Sequence, residues 1–435
     1  MEEITFTDRI KWIVISFLLV FPLIFLGGVH VGPLSVRLIV AYGMLGFVLW
    51  RGKTDYLPTR GMQLYFIYVA VYIFINLLNL TAFSSIFIKD LIAVHFVSCI
   101  AILAFPRIFK TEASIQGAYI VFAFGFLLNA LTTFLQYKNS PLGWAIGMTI
   151  NPSQLDDLGE LQSTLENAEE FRRAILIGIM GNAVGNGYFI ATMLPIMTYF
   201  IWDKLGLKSL WSLIMFAVAA ICIYYIQQRM ALAVSVAYLF SIVILKKASA
   251  TTRFLITAAT IAILALFMND ILNYDYSQLG RLTNTEDKLR SSTLTVLDSF
   301  ISNPQRLLIG HNQNITEEDY IIYHTLGHNS FTDTLRLGGI FLLLTYIALF
   351  YYLCKTLIGI IIFSRREEDC RTMGLAIGCL CFMLYSQTHS TGVQSGSIMF
   401  WTLYMLTIQS HRVKNEALEE VESQEENDHI KNTDI

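Results

Sequence analysis

The sequence is short of charge. Only 14% of its 435 residues are Asp, Glu, Lys or Arg, against about 25% in an ordinary soluble protein. With 55% hydrophobic residues and a mean hydropathy of +0.55, the shortage excludes a water-soluble enzyme and makes lipid the main solvent. No basic patch with interleaved aromatics occurs, so nothing points to nucleic acid. Of the six cysteines, Cys99, Cys222, Cys354, Cys379 and Cys381 lie inside apolar runs, and only Cys370 does not. None falls in a segment expected outside the membrane, which argues against a disulfide framework. The Cys379-x-Cys381 spacing is too close for a zinc pair and reads as small core residues. No A-x-A-like cleavage site follows the apolar run that begins after Arg9 and Lys11, so that run is read as an uncleaved first span. No repeat relates the two halves.

What is present is a series of long apolar runs. A helix needs about 20 apolar residues to cross the hydrocarbon core, and only helices or closed barrels satisfy every backbone group there. The runs are continuous rather than alternating, so helices are expected at 10–29, 34–50, 61–79, 86–105, 114–136, 174–201, 209–226, 229–246, 253–271, 335–363, 372–388 and 393–410. The expected fold is all-α, a polytopic membrane bundle of about 12 transmembrane helices. It divides into spans one to nine over 1–271, with an outer loop at 137–173; a large loop or cap at 272–334; spans ten to twelve over 335–410; and a disordered acidic tail at 411–435.

The basic residues keep register with that count. Arg51, Lys53 and Arg60 follow span two; Arg107 and Lys110 follow span four; Lys204 and Lys208 follow span six. Lys246, Lys247 and Arg253 follow span eight; Arg365, Arg366 and Arg371 follow span ten; Arg412 and Lys414 follow span twelve. Positively charged loops stay in the cytoplasm, so both termini are expected there. The large loop and the 137–173 loop then lie outside. Within the large loop, EDKLRSSTLTVLDSFI carries an apolar stripe of Leu289, Leu294, Leu297, Phe300 and Ile301 at helical spacing, and Asn303-Pro304 ends it. In the smaller loop, LGELQSTLENAEEFRRA reads as a short surface helix with Glu–Arg pairs.

Ionisable groups at membrane depth or just outside are functional candidates by default. Gln227-Gln228-Arg229 sits at the outer junction of spans seven and eight, against the positive-inside preference, although a snorkelling anchor is the bland alternative. Arg281, Lys288 and Arg290 lie in the cap, where they either form a solvated face or bind an anion through the guanidinium fork. Gly327-His328-Asn329-Ser330 closes the large loop. His328 either hydrogen-bonds locally or takes a proton from a sugar hydroxyl near neutral pH. His324 lies one helical turn earlier, but the pair lacks the glutamate of H-E-x-x-H and a third ligand, so no metal is expected.

At these residues the sequence resembles the bacterial O-antigen ligase and polymerase superfamily. The stretches that carry the likeness are GIMGNAVGNGYFIATMLP (178–195), IQQRMALAV (226–234), and LRSSTLTVLDSFISNPQRLLIG followed by GHNSFTDTLRLGGIF (327–341). The turn reads QQRMA, with Met230 where a small residue is usual, and the glycine-rich stretch after Asn-Pro is reduced to Gly310. The resemblance covers roughly 175–345. It implies a metal-independent membrane glycosyltransferase of the inner membrane, without a cofactor, whose partly helical large loop is periplasmic. His328, Arg290 and Arg229 would be catalytic; Arg281, Asn329, Gln228 and His324 would bind substrate. The donor would be a glycan on undecaprenyl pyrophosphate. The acceptor would be another such glycan, in a polymerase, or the lipid A core, in a ligase. A chain-length regulator would be a further partner. A polysaccharide flippase or other secondary transporter is the alternative, since twelve spans with both ends inside also suit a transporter.

Overall fold

The computed structural model describes residues 5–51, 58–79, 85–151, 176–199, 207–226, 228–245, 301–310, 329–388, 393 and 396–433. Within them the chain is helical nearly throughout, and the one sheet is a hairpin pairing His30–Val31 with Leu34–Ser35. The helices are α1 (Phe6–Phe25), α2 (Val36–Arg51), α3 (Arg60–Leu78), α4 (Ser85–Asp90), α5 (Phe96–Ile108), α6 (Glu112–Tyr137) and α7 (Pro141–Ile150). They continue with α8 (Ala183–Met197), α9 (Leu207–Ile226), α10 (Arg229–Leu245), α11 (Pro304–Ile309), α12 (Ser330–Arg366), α13 (Cys370–Tyr385) and α14 (Ile398–Thr433). A π-helical turn, Leu91–His95, joins α4 to α5. Every expected span overlaps one of these helices except 253–271, which lies outside the described residues.

This is a membrane protein. Among the described residues four helical stretches, Arg60–Leu78, Phe87–Ile108, Glu112–Tyr137 and Ser330–Arg366, are long and apolar enough to cross a bilayer. α12 shows how one sequence serves two solvents. Leu342, Tyr346, Leu349, Leu353 and Leu357 are fully buried, while Phe341, Leu344, Tyr351, Ile358 and Ile362 are exposed apolar side chains at helical spacing on the opposite face. With lipid outside, burial alone does not hold such helices together; close packing and hydrogen bonds must. α1 lies along α6 because Gly125 lets the Phe25 ring in, where a Cβ would come within 2.2 Å of it. Caps fix the helix starts: Thr59 accepts from the Met62 amide at α3, and Thr111 and Ser114 form a capping box at α6.

We call the end where α12 starts, at Ser330, the loop end, and the end where it finishes, at Arg365 and Arg366, the basic end. Four features differ from the sequence expectation. Residues 176–182 are not part of the expected 174–201 helix, which begins only at Ala183, because side chains of α6 capture that backbone. α7 forms inside the expected 137–173 loop, with Pro141 in its first turn, where a missing amide costs nothing. α12 is two helices divided at Gly338 and Gly339. The tail expected to be disordered from 411 continues α14 through Thr433, a run rich in Glu that opens with an Arg412–Glu416 pair one turn apart. The surface helix expected at LGELQSTLENAEEFRRA lies outside the described residues.

Candidate functional site

At the loop end two short segments singled out by sequence come near the end of α13 and the 3-10 turn, Ser386–Thr388, that follows it. Asn329 Nδ2 donates to the Gln387 carbonyl at 2.7 Å, and Ser330 Oγ donates to Gln387 Oε1 at 2.9 Å. Asn329 Oδ1 accepts from the Phe331 amide at 2.8 Å and so caps α12. On the other side of α13, Gly187 of α8 is hemmed in. A Cβ there would fall 3.0 Å from Gln228 Cβ and Cγ and 3.4 Å from the Tyr385 hydroxyl. The Tyr188 and Tyr385 rings meet edge to face, with centroids 4.8 Å apart. Gln228 and Asn329, about a hundred residues apart in sequence, therefore both lie near the end of α13, Asn329 through Gln387 and Gln228 beside Gly187 and the Tyr385 hydroxyl. Gln228 is half-buried, and its carbonyl accepts from the Leu232 amide at 3.1 Å as α10 begins. Arg229 is the first residue of α10, at the positive end of that helix dipole.

Of the seven residues picked from sequence, Gln228, Asn329 and the backbone of Arg229 are described; Arg281, Arg290, His324 and His328 lie outside the described residues. Asn329 uses both ends of its amide, Nδ2 on the Gln387 carbonyl and Oδ1 on the Phe331 amide. Any substrate contact it makes would use its second amide hydrogen or its remaining lone pair.

The 178–195 stretch has a structural account. Gly178 adopts φ +54°, and a Cβ there would lie 2.1 Å from Asn129 Oδ1. The Gly178 amide donates to Gln136 Oε1 and the Ile179 amide to Asn129 Oδ1, both at 2.9 Å. Asn186, fully buried on α8, accepts from Asn129 Nδ2 at 2.7 Å and donates to Thr133 Oγ1 at 2.9 Å and the Leu176 carbonyl at 2.7 Å. Asn151 Nδ2 adds a bond to the Ile179 carbonyl at 2.6 Å. Irregular backbone at membrane depth needs such partners. The network sets the loop-end face of α8, and with it Gly187 and its neighbour Gln228.

Sequence reasoning missed three features. Arg336 donates to Asp333 Oδ1 from Nη2 at 2.6 Å and from Nε at 3.2 Å, with both side chains buried. The Asp-x-x-Arg spacing, one helical turn inside an apolar run, was the available signal. Next, α12 breaks at Gly339, which has φ +63°. α11 docks there: a Cβ on Gly339 would lie 2.3 Å from the Leu308 carbonyl carbon, and one on Gly310 would lie 2.7 Å from the Arg336 carbonyl oxygen. Asn79 Nδ2 donates to the Ile309 carbonyl at 2.9 Å from the end of α3. The Gly-Gly pair in an apolar run was the clue. Third, His95 closes the π-turn, buried, with Nδ1 3.2 Å from the Tyr65 hydroxyl. π-turns are frequent at functional sites. Among the described residues no three His, Cys, Asp or Glu side chains gather as a metal site.

No protein-family model matches the chain, and no curated protein matches it.

Proposed function

We propose that the protein is a membrane glycosyltransferase of surface-polysaccharide assembly, of the O-antigen polymerase or ligase type, in the bacterial inner membrane. On this reading about twelve spans leave both termini in the cytoplasm, and the loop end faces the periplasm. The donor is a glycan on undecaprenyl pyrophosphate, and the acceptor is a second lipid-linked glycan or the lipid A core. One observation carries the reading. Gln228, the residue before Arg229, and Asn329, the residue after His328, both lie near the end of α13, and that proximity supports a shared site.

The chemistry follows from the groups. The acceptor hydroxyl attacks the anomeric carbon, the glycosidic bond to phosphate breaks, and the pyrophosphate leaves with its lipid. Arg229 and Arg290 neutralise the charge that grows on that leaving group. His328 accepts the proton of the attacking hydroxyl. A pyrophosphate is already a good leaving group, so positioning and charge stabilisation supply most of the acceleration. Arg281, Gln228, Asn329 and His324 line the approach.

The test uses cells that make the glycan. Arg229→Ala, Arg290→Ala and His328→Ala are made singly, membrane insertion is confirmed, and surface glycan is resolved on a gel. Each variant is expected to lose or shorten the glycan; normal glycan from all three ends the enzyme reading. Deletion separates the two subtypes. A lost polymerase leaves single repeat units on the lipid A core, whereas a lost ligase leaves none and lipid-linked glycan accumulates.

The second reading is a flippase or other transporter. It is favoured by the broken helix at Gly338–Gly339 and by an open cavity at the opposite, basic end. Sealed vesicles loaded with lipid-linked glycan decide between them: a transporter moves the intact molecule, and the enzyme changes its glycosidic bonds.

A further inference from the structure

The basic end holds a cavity of about 750 Å³ between α3, α12 and α14. Its walls carry Arg60, Lys355, Thr356, His411, Arg412 and Asn415. Lys355 is out of place. It lies about 16 Å along α12 from Arg366, at 1.5 Å per residue, with the apolar run Leu357–Phe363 between them. An ammonium within an apolar span needs an anion or water. Among the described residues neither Lys355 nor Arg60 pairs with a carboxylate; the Lys355 amine has only the Tyr352 ring, at 5.9 Å.

Three further features favour an anion. α3 points its N-terminus into the cavity, its first turn carries no acidic residue, and Thr59 accepts from the Met62 amide through its hydroxyl and from the Gln63 amide through its carbonyl. The remaining first-turn amides and the helix dipole favour negative charge. His411 Nδ1 is buried without a hydrogen-bond partner and donates in the tautomer that carries its proton there. Gly359 opens the wall between Lys355 and the rim, with no atom within 4 Å of where its Cβ would stand. The two carboxylates that line the cavity, Glu416 and Glu419, lie further along α14, and Arg412 already pairs with Glu416 at 2.6 Å. The free cations thus sit deeper in the span, and the carboxylates sit toward the end of the bundle.

We propose that this cavity binds the phosphate of a phospholipid headgroup, drawn from the leaflet that meets the basic end, with Arg60, Lys355 and the first turn of α3 as its ligands. The depth of Lys355 argues for a lipid over a soluble phosphate, since a headgroup phosphate already lies at the edge of the hydrocarbon region. Basic pockets between spans hold anionic headgroups in this way. The site would anchor α3 against α12 and make the packing of the bundle depend on lipid. It does not rest on the glycosyltransferase reading.

The experiment is native mass spectrometry of the full-length protein in detergent, titrated with phosphatidylglycerol, with diacylglycerol, and with phosphatidylglycerol plus millimolar inorganic phosphate. Phosphatidylglycerol is expected to bind, and diacylglycerol is not. The Arg60→Gln/Lys355→Gln double variant should bind about 30-fold more weakly, from two lost cations. Gly359→Leu, which projects a side chain into the cavity and leaves every cation in place, should also weaken lipid binding; it decides the matter alone if the double variant fails to fold. Equal binding by wild type and variants, or equal binding of the two lipids, overturns the site. Displacement by inorganic phosphate overturns the lipid as its source.

Discussion

The two ends of the bundle handle polar groups in opposite ways. At the loop end they are buried and mutually satisfied: Asn129, Gln136 and Asn186 bind the backbone of 176–182, Asp333 holds Arg336, and Asn329 ties α12 to α13. At the basic end the ion pairs are partly exposed. Arg371 forks onto Glu112, with Nη2 2.7 Å from Oε2 and side chains 18% and 33% exposed, and Arg412 pairs with Glu416 near the surface. A buried polar network has one arrangement that satisfies it, so the loop end is rigid. A partly exposed pair is worth less than a buried one and can exchange with water, so the basic end can yield. A site that aligns a sugar hydroxyl with an anomeric carbon needs the first kind of construction.

That contrast can be broken by substitution, with the thermal transition of the purified protein as the measure. Asp333→Ala should have the largest effect. It strands a buried guanidinium, at a cost of about 3–5 kcal/mol, and the protein should lose much of its folded yield. Replacing both partners, as Asp333→Leu with Arg336→Met, should recover most of it; no recovery would mean the pair is needed for more than its own neutralisation. Gly339→Ala comes next. It forces a left-handed backbone onto alanine, at about 1–3 kcal/mol, and drives a methyl into the Leu308 carbonyl, so α11 should undock and cleavage by protease near 304–310 should rise. Asn186→Ala should cost about 1–3 kcal/mol for each buried group left unpaired. Glu112→Gln, at the other end, should cost less than about 1 kcal/mol. If Glu112→Gln were as damaging as Asp333→Ala, the distinction between the two ends would fail.

Much of the architecture was legible in the sequence because lipid imposes one pattern. A continuous apolar run such as 61–79 leaves the backbone only a helix, and Thr59 marks where α3 starts. The departures came from residues whose role depends on partners remote in sequence. Gly178 reads as one glycine in an apolar run until Asn129 and Gln136 are seen to hold its backbone out of the helix. Gly338–Gly339 reads as a flexible pair in a span until α11 is seen seated on it. The acidic tail lacks apolar periodicity, which predicts disorder, yet its helix formers extend α14 without a core. At the candidate site, Gln228 and Asn329 could be flagged by chemistry and by side, but not their common neighbour. Tyr385 and Gln387 carry no signal of their own and matter because α13 ends between α8, α10 and α12.

The central proposal is that Arg229 and His328 belong to one site on the periplasmic side. Disulfide-length cross-linking tests it most directly. Arg229→Cys and His328→Cys are introduced together after the six native cysteines are replaced, and intact cells are treated with a short, membrane-impermeant bis-thiosulfonate. The account predicts an intramolecular cross-link that holds the two halves together after cleavage between positions 229 and 328. Efficient labelling of each single cysteine with no cross-link in the pair, or labelling only when the cytoplasmic face is opened, would contradict it.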